Sequence, residues 1–268
     1  MTRDDELRMR RAAVFTLFLS LALTGCGESV AFVGSANHRM SPTSGFFRET
    51  VRYNGQERKF VVFLPEGYSP QKKYPAILFL HGFGGAGRDG LQQVSTGLGK
   101  YLASHYQSFN FIVVFPQTPW TWESREDQDL AIAALDEVQT RYSADPSRIT
   151  LSGISLGGYG AWMLAARYPN RFCSVVVMSG LAEERVAPKL TTLPVWCFHY
   201  ETDPFVGCSN SQRMVQLINA AGGHAKLTTV PGIGHYVWDK VYGAELFDWM
   251  QRQHRPPTPE SPLAQHSG

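Results

Sequence analysis

This sequence carries little net charge, and it has no long run of residues with charge of one sign. Its 25 lysines and arginines nearly balance 23 aspartates and glutamates, which leaves a formal charge of +2 and a pI near 8.3. No Lys/Arg-rich block is present that could follow a line of phosphates. The composition therefore argues against a nucleic acid as a partner of this protein.

Cysteine is also rare, with four residues in the 268-residue chain. Apart from Cys26 near the N terminus, Cys173, Cys197 and Cys208 form an odd number. At most one disulfide fits among these three within one copy of the chain, and the sequence does not identify the pair. Cys197 lies in an apolar run, which predicts an unreactive thiol in the core.

The sequence lacks an apolar N-terminal run long enough to cross a bilayer. Residues 12–23 are apolar, whereas a spanning helix needs about 20 such residues. Arginines precede this run and Leu23-Thr24-Gly25-Cys26 follows it, a pattern that resembles the lipobox of bacterial lipoproteins. We expect residues 1–25 to be a lipoprotein signal peptide and Cys26 to carry a lipid that anchors an exported protein to the cell envelope, on the periplasmic or cell-surface side. The alternative is a plain signal peptide with an incidental cysteine.

The remaining length suits one catalytic domain, because 268 residues with 43% hydrophobic content can bury one full core. Residues 26–45 are rich in Gly, Ser, Asn and Pro and are expected to form a flexible tether. Residues 46–253 are expected to form the domain. The Pro-rich segment 254–268 is expected to be a disordered tail.

Strand and helix signals alternate along this domain, which predicts an α/β fold with a mostly parallel sheet and helices on both faces. A hairpin is expected around Asn54-Gly55, and no connection is long enough for a large lid domain. The expected strands are 47–53, 59–64, 75–81, 109–115, a run around Ile149 and Leu151, 172–178, 193–198 and 226–230. The expected helices are 90–104, 125–142, a helix after Ser155, 214–221 and 244–251.

The most informative stretch is Gly153-Ile154-Ser155-Leu156-Gly157, which lies between a β-favouring run and an Ala-rich helix. A sharp turn from strand to helix crowds the positions two before and two after its pivot, and glycine relieves that crowding. This arrangement resembles the nucleophile elbow of the α/β-hydrolases and predicts Ser155 as a nucleophile. Taken alone, the five-residue pattern is also a common loop.

A second glycine-rich motif, His81-Gly82-Phe83-Gly84-Gly85, follows an expected strand. Backbone N–H groups in such a turn can stabilise an oxyanion together with the N–H group that follows the nucleophile. We predict an oxyanion hole formed by the N–H groups of Phe83 and Leu156, with Gly84 as the second choice for the upstream donor. A simple glycine-rich turn is the alternative.

A serine nucleophile needs a base, and the sequence offers eight histidines. His235 lies in a Gly-rich loop after the last expected strand, which is the usual place for the base of this fold. The others lie in the tether, in the tail, in the His81 turn, within a strand or ahead of strands. We predict His235 as the base, with a structural histidine as the alternative.

The acid is expected between the serine and the histidine in chain order. Asp203 lies in the turn beyond the expected strand 193–198 and is the first candidate, with Glu201 as the runner-up and Asp239 a distant third. Because Pro204 follows Asp203, a turn-forming aspartate with a solvated carboxylate is the alternative.

Together these motifs resemble bacterial esterases of the phospholipase/carboxylesterase and dienelactone-hydrolase-like group, which is related to feruloyl and acetyl-xylan esterases and polyhydroxybutyrate depolymerases. The similarity covers residues 47–253. It implies an α/β-hydrolase fold and hydrolysis of carboxylic esters without a cofactor or metal, on a small-molecule or polysaccharide-linked ester. One departure is Tyr200, where these proteins usually carry glycine after the histidine of the acid strand.

The predicted function is therefore a serine esterase that works through an acyl-enzyme intermediate. A serine peptidase of the same fold is the main alternative, a thioesterase or lipase is a further one, and a non-catalytic binding protein is a distant one. Several aromatic side chains fall in loops near the expected site, and about half should prove structural. Those assigned to substrate binding are Trp122, Tyr159 and Trp238.

Overall fold

The computed structural model describes residues 32–35 and 44–255. The expected signal peptide, the lipidation residue Cys26, most of the tether and residues 256–268 of the tail lie outside this part of the chain. The strands are β1 (Phe32–Ser35), β2 (Gly45–Tyr53), β3 (Gln56–Leu64), β4 (Tyr74–Leu80), β5 (Ile112–Pro116), β6 (Ala144–Ile154), β7 (Ser174–Met178), β8 (Pro194–Thr202) and β9 (His224–Ile233). The helices are α1 (Gly97–His105), α2 (Arg125–Arg141), α3 (Leu156–Arg167), α4 (Ser209–Ala220), α5 (Trp238–Val241) and α6 (Ala244–Gln251).

The nine described strands form one sheet in the order β1-β2-β3-β5-β4-β6-β7-β8-β9. Only β3 runs antiparallel to its neighbours, so the sheet is mostly parallel. The β2–β3 hairpin turns through Asn54 and Gly55, both at positive φ (49° and 75°), as a two-residue type I′ turn requires. The expected α/β-hydrolase fold and the expected hairpin are confirmed.

Helices cover the sheet on both faces. The central strands β4, β5 and β7 are buried along their whole length, as parallel strands between two helical layers should be. Alternate side chains of β4 point into different cores. Leu78 and Leu80 belong to the core that also contains Leu135 of α2 and Met214 of α4. The other core contains Ile77 and Phe79, and with them residues of α1 and α6.

Helix α1 begins later than the sequence predicts. Residues 92–94 form a separate 3-10 turn, and the helix starts at Gly97 instead of residue 90. Gly97 has φ of +57°, and a Cβ there would lie 2.8 Å from atoms of Phe79 and Ile154. The chain therefore changes direction at Gly97, which the apolar spacing of this segment does not reveal.

Strand β8 extends further than its apolar run. The unbroken apolar run ends at Phe198, yet pairing with β9 continues as far as Thr202 opposite Ile233. The ladder depends on backbone groups, so polar residues can continue it. Glu201 is therefore part of the strand, and Asp203 is the first residue beyond it.

The three cysteines of the described region are buried thiols, and none of them forms a disulfide. Burial raises the pKa of the Cys197 thiol far above its usual value, which agrees with the expected inert core cysteine. Within residues 32–35 and 44–255, none of the helices combines the length and the apolar character needed to cross a membrane.

Candidate active site

Ser155 occupies the sharp turn between β6 and α3. Its φ of 54° and ψ of −117° lie in a strained region for a residue with a side chain. A Cβ at Gly153 would lie 2.1 Å from the Gly157 carbonyl oxygen, and a Cβ at Gly157 would lie 2.0 Å from that of Leu80. Only glycine fits at both positions, which is the local reason for the motif. The turn leaves Ser155 at the N-terminal end of α3.

A continuous chain of hydrogen bonds joins Ser155 to two other side chains. His235 Nε2 lies 3.0 Å from Ser155 Oγ, and His235 Nδ1 lies 2.7 Å from Asp203 Oδ2. A carboxylate only accepts hydrogen bonds, so Nδ1 carries the proton and Nε2 can accept one from the serine hydroxyl. The three residues are buried. The structure thus brings together the side chains that the sequence predicts as nucleophile, base and acid.

Asp203 is bound on both carboxylate oxygens. Oδ1 accepts the backbone N–H groups of Phe205 (2.8 Å) and Val206 (2.9 Å), and Oδ2 lies 3.3 Å from His199 Nε2. Burial raises the pKa of Asp203, but hydrogen bonds from His199 and His235 outweigh it and hold this pKa well below the ordinary value. The side chain is therefore an anion across the neutral range. Glu201, the runner-up, is exposed on β8, and Asp239 lies in α5.

The predicted oxyanion turn lies next to the serine. Residues Phe83–Gly85 form a 3-10 turn after β4, closed by a hydrogen bond from Gly85 N–H to the Gly82 carbonyl (3.0 Å). A Cβ at Gly82 would lie 3.3 Å from Ser155 Cβ. Gly82, the residue before Phe83, therefore lies close to the elbow, with little room between them for a side chain. On the other side, Leu156 begins α3, where a backbone N–H group has no acceptor within its own helix.

His81 holds this turn as a neutral imidazole. Its Nε2 accepts the Thr118 backbone N–H (3.1 Å), and its Nδ1–H donates to the Gly82 carbonyl (2.8 Å). Burial lowers the pKa of His81 to about 4. The Trp122 indole N–H donates to the His81 carbonyl at 2.9 Å. Both backbone and side chain of His81 are therefore bound by the loop that follows β5.

The prediction that Trp122 binds substrate is wrong. The side chain is 0% exposed, and a Cβ on Gly160 of α3 would lie 2.3 Å from Trp122 Cβ. Its indole N–H instead donates to the His81 carbonyl and so supports the predicted oxyanion turn. An aromatic residue in a loop can point inward as readily as outward, and the sequence pattern does not distinguish the two directions.

Tyr159 and Trp238 contact residues of the predicted triad, and each is 5% exposed. The Tyr159 N–H donates to the Ser155 carbonyl (3.2 Å), and its hydroxyl donates to a Glu183 carboxylate oxygen at 3.4 Å. The Trp238 ring meets that of His235 edge to face, with centroids 5.9 Å apart. Their predicted contact with substrate remains a prediction.

Sequence reasoning missed two residues near the site. Tyr236 is 57% exposed and stands 5.9 Å, centroid to centroid, from the His235 ring, and its place directly after the base was the available signal. His199 contacts Asp203, although it lies four residues earlier on a strand. No sequence rule pairs residues at that spacing across a strand end.

The described ranges contain no group of three or more His, Cys, Asp or Glu side chains placed to hold a metal ion. The polar atoms around Ser155 instead form a proton path with one hydroxyl, one imidazole and one carboxylate. Such a path can activate the serine hydroxyl for attack on an electrophilic carbonyl.

Comparison with known proteins identifies related sequences and structures. The model of a family described as "Putative esterase" matches residues 52–255. "Probable feruloyl esterase C" of Aspergillus terreus is 28% identical over 53% of this chain and 54% of the relative. "Bifunctional acetylxylan esterase/xylanase XynS20E" of Neocallimastix patriciarum is 25% identical over 57% of this chain and 22% of the relative. "Probable glutamyl endopeptidase, chloroplastic" of Oryza sativa subsp. japonica is 23% identical over 68% of this chain and 22% of the relative.

Among solved structures, one described as a thermostable esterase superposes with a TM-score of 0.71 at 27% identity. The match covers 78% of this chain and 63% of that one. The chain spans about half the length of the first curated relative and about a fifth of the other two.

Proposed function

The chain belongs to the esterase family, and on this basis we propose that it is a serine hydrolase that cleaves carboxylic esters through an acyl-enzyme intermediate. The observation that carries the proposal is the Ser155–His235–Asp203 hydrogen-bond chain, with Ser155 on the strained elbow. Along the chain these residues follow one another as Ser, Asp and His, which is the order of the triad in the α/β-hydrolases.

Acylation begins when His235 Nε2 takes the proton of Ser155 Oγ while Oγ attacks the ester carbonyl carbon. The carbonyl oxygen becomes an oxyanion that accepts hydrogen bonds from the backbone N–H groups of Leu156 and Phe83. The carbon–oxygen bond to the alcohol then breaks, and His235 gives its Nε2 proton to the leaving alkoxide. Asp203 keeps the proton of His235 on Nδ1 and stabilises the imidazolium. The product of this half-reaction is an acyl-serine and a free alcohol.

Deacylation repeats these steps with water. His235 Nε2 takes a proton from the water as its oxygen attacks the acyl carbon, and the same two N–H groups hold the second oxyanion. The bond to Ser155 Oγ breaks, the proton returns to Oγ, and the carboxylic acid leaves. No cofactor takes part in either half-reaction. We propose that the substrate is a small-molecule or polysaccharide-linked ester. The support is that two of the relatives are described as a feruloyl esterase and an acetylxylan esterase.

The test is a panel of p-nitrophenyl esters beside feruloyl and acetylated-sugar substrates, with wild type and Ser155→Ala compared. We expect Ser155→Ala to lose about a millionfold in kcat while its circular dichroism stays unchanged. Intact-mass spectrometry after treatment with a p-nitrophenyl phosphonate should show one adduct on wild type and none on the variant. A Ser155→Ala enzyme that keeps a tenth of the activity would refute the proposal.

A serine peptidase of the same fold is the second candidate, favoured by the similarity to a glutamyl endopeptidase. Amines leave less readily than alcohols, so peptide hydrolysis demands more from the acid step at His235. Matched ester and amide substrates with one acyl group separate the two. The ester should be preferred strongly, and comparable kcat/KM values would favour the peptidase. A chain that binds these substrates without turnover would be the third possibility, a binding protein.

We further propose that the domain, residues 46–253, is exported and held at the cell envelope. Residues 1–25 would be removed as a signal peptide, Cys26 would carry the lipid, and residues 26–45 would act as a tether ahead of the domain. The support is the sequence motif at Cys26. Fractionation of the native host should find wild type with membranes and Cys26→Ser released from them. A Cys26→Ser protein that stays with membranes would contradict the lipid anchor.

A further inference from the structure

We propose that His199 is a positioning residue for the catalytic acid, fixing the Asp203 carboxylate so that Asp203 can orient His235. The inference rests on the proposed function, because it assigns a role within that reaction. His199 touches neither Ser155 nor the base in any described contact, and it acts through Asp203.

The geometry of the contact is direct. His199 lies in β8, four residues before Asp203, and is 0% exposed. Its Nε2 is 2.6 Å from the Val206 carbonyl oxygen and 3.3 Å from Asp203 Oδ2. Its Nδ1 is 2.8 Å from the hydroxyl of Ser211, a buried residue in the first turn of α4. Both ring nitrogens are therefore engaged.

These partners determine where the proton of His199 resides. The Val206 carbonyl can only accept a hydrogen bond, so Nε2 must carry a proton. The Ser211 hydroxyl can donate to Nδ1 or accept from it, so both the neutral and the cationic ring keep Nε2–H. In either form His199 presents a donor to the carboxylate of Asp203.

This donor completes a small closed network around the acid. Val206 donates its N–H to Asp203 Oδ1 and accepts His199 Nε2–H at its carbonyl oxygen. Asp203 Oδ2 receives His235 Nδ1–H and lies within reach of the same Nε2–H. Both ends of the carboxylate are held, which prevents the side chain from rotating about its last bond. The lone pair that faces His235 is thereby fixed in direction.

Loss of this contact would leave Oδ2 with His235 as its one described partner in a desolvated site. Val206 would also lose the partner of its carbonyl, and buried polar groups without partners are unfavourable. Both effects allow the loop at residues 203–206 to shift. A displacement of about 1 Å at a catalytic group can lower the rate about 100-fold. His199 is thus expected to affect kcat far more than KM, because it does not contact substrate.

Two amide substitutions distinguish the roles of the two ring nitrogens of His199. The amide nitrogen of His199→Gln can occupy the place of Nε2, whereas the shorter side chain of His199→Asn reaches only the place of Nδ1. We expect His199→Asn to lower kcat on p-nitrophenyl acetate by about 10- to 100-fold with KM within about twofold of wild type, and His199→Gln to restore most of this loss. Ser211→Ala, which removes only the Nδ1 partner, is the matched control and should change kcat by less than about threefold.

A double-mutant cycle with Asp203→Asn distinguishes positioning from general support of the fold. If His199 acts through Asp203, His199→Asn should cost less than about threefold in kcat when Asp203 is already replaced. Thermal unfolding of each variant shows how much stability changes. An equal loss of kcat in both backgrounds, or a His199→Gln enzyme no better than His199→Asn, would refute the proposal. A His199→Asn chain that does not fold would also refute it, since the role would then be structural.

Failure of this inference differs from failure of the proposed function. If Ser155→Ala remains active, the serine mechanism itself is wrong. If Ser155→Ala is inactive and the His199 and Asp203 effects simply multiply, the mechanism stands and only the positioning role falls.

Discussion

Replacement of the proposed catalytic acid by its amide, Asp203→Asn, tests the proposed proton path most directly. The two backbone N–H groups at Oδ1, from Phe205 and Val206, require an oxygen there. The new amide oxygen should keep these bonds, so the amide nitrogen must face His235. A donor facing Nδ1 favours the tautomer that carries its proton on Nε2, and that nitrogen can no longer accept the proton of Ser155.

The magnitude follows from the role of the acid. Loss of the productive tautomer costs about ten-thousandfold in kcat in the well-studied serine triad. This corresponds to about 5 kcal/mol of activation free energy. The fold should survive, because the loop keeps its bonds to Oδ1, and we expect the melting temperature to shift by no more than a few degrees. This variant should therefore lose most of its activity while keeping most of its stability.

The assay measures initial rates of p-nitrophenyl acetate hydrolysis and thermal unfolding by circular dichroism. Glu201→Gln is the matched control, since Glu201 is exposed on the same strand end. It should stay within about tenfold of wild type. If Asp203→Asn kept more than about a tenth of the wild-type rate, or if the two variants ranked in the opposite order, Asp203 would not be the acid.

Three further outcomes are expected. Burial lowers the pKa of His81 from about 6.5 in the unfolded chain to about 4 in the folded protein, so between these pH values the unfolded chain binds a proton at His81 that the folded protein does not. The free energy of unfolding should therefore fall as the pH drops from about 6.5 to 4, and the urea midpoint of His81→Gln should depend less on pH than that of wild type. Trp122→Phe should lose about 1–3 kcal/mol of unfolding free energy while the KM for p-nitrophenyl acetate stays within about twofold, since Trp122 binds the His81 carbonyl; a large rise in KM would restore Trp122 as a substrate contact. Gly157→Ala should give no folded protein, because its Cβ would lie 2.0 Å from the Leu80 carbonyl oxygen. The control Gly243→Ala, whose Cβ would have no atom within 4 Å, should fold normally, and soluble yield and circular dichroism of the two variants test this.

The parts of the site that the sequence predicts are those defined by local sterics or by chain order. Gly153 and Gly157 are required by contacts within one turn of the backbone, so the elbow is visible as a five-residue pattern. Asp203 and His235 follow successive strands of a parallel sheet, whose carboxyl ends meet at one edge. The fold class could be predicted for the same reason, because strand and helix signals alternate along the chain.

The remaining features depend on side-chain direction and on contacts between distant segments. Trp122 points into the core and supports His81, although its place in a loop favoured exposure. The start of α1 is set by the backbone of Gly97, which packs against Phe79 from another part of the chain. His199 reaches Asp203 only because the chain curls back after β8. None of these is encoded in the spacing of neighbouring residues.

The order of the strands has a consequence for how activity appears during folding. Ser155 and His235 are 80 positions apart, and His235 follows β9, the outer strand, which pairs only with β8 among the described strands. The elbow can therefore form at the centre of the sheet before His235, the proposed base, reaches it. In refolding experiments, ester hydrolysis should recover no earlier than the docking of this last strand. A nascent chain that has not yet reached residue 235 holds Ser155 and Asp203 but not His235, so it cannot yet form the hydrogen-bond chain between the three side chains.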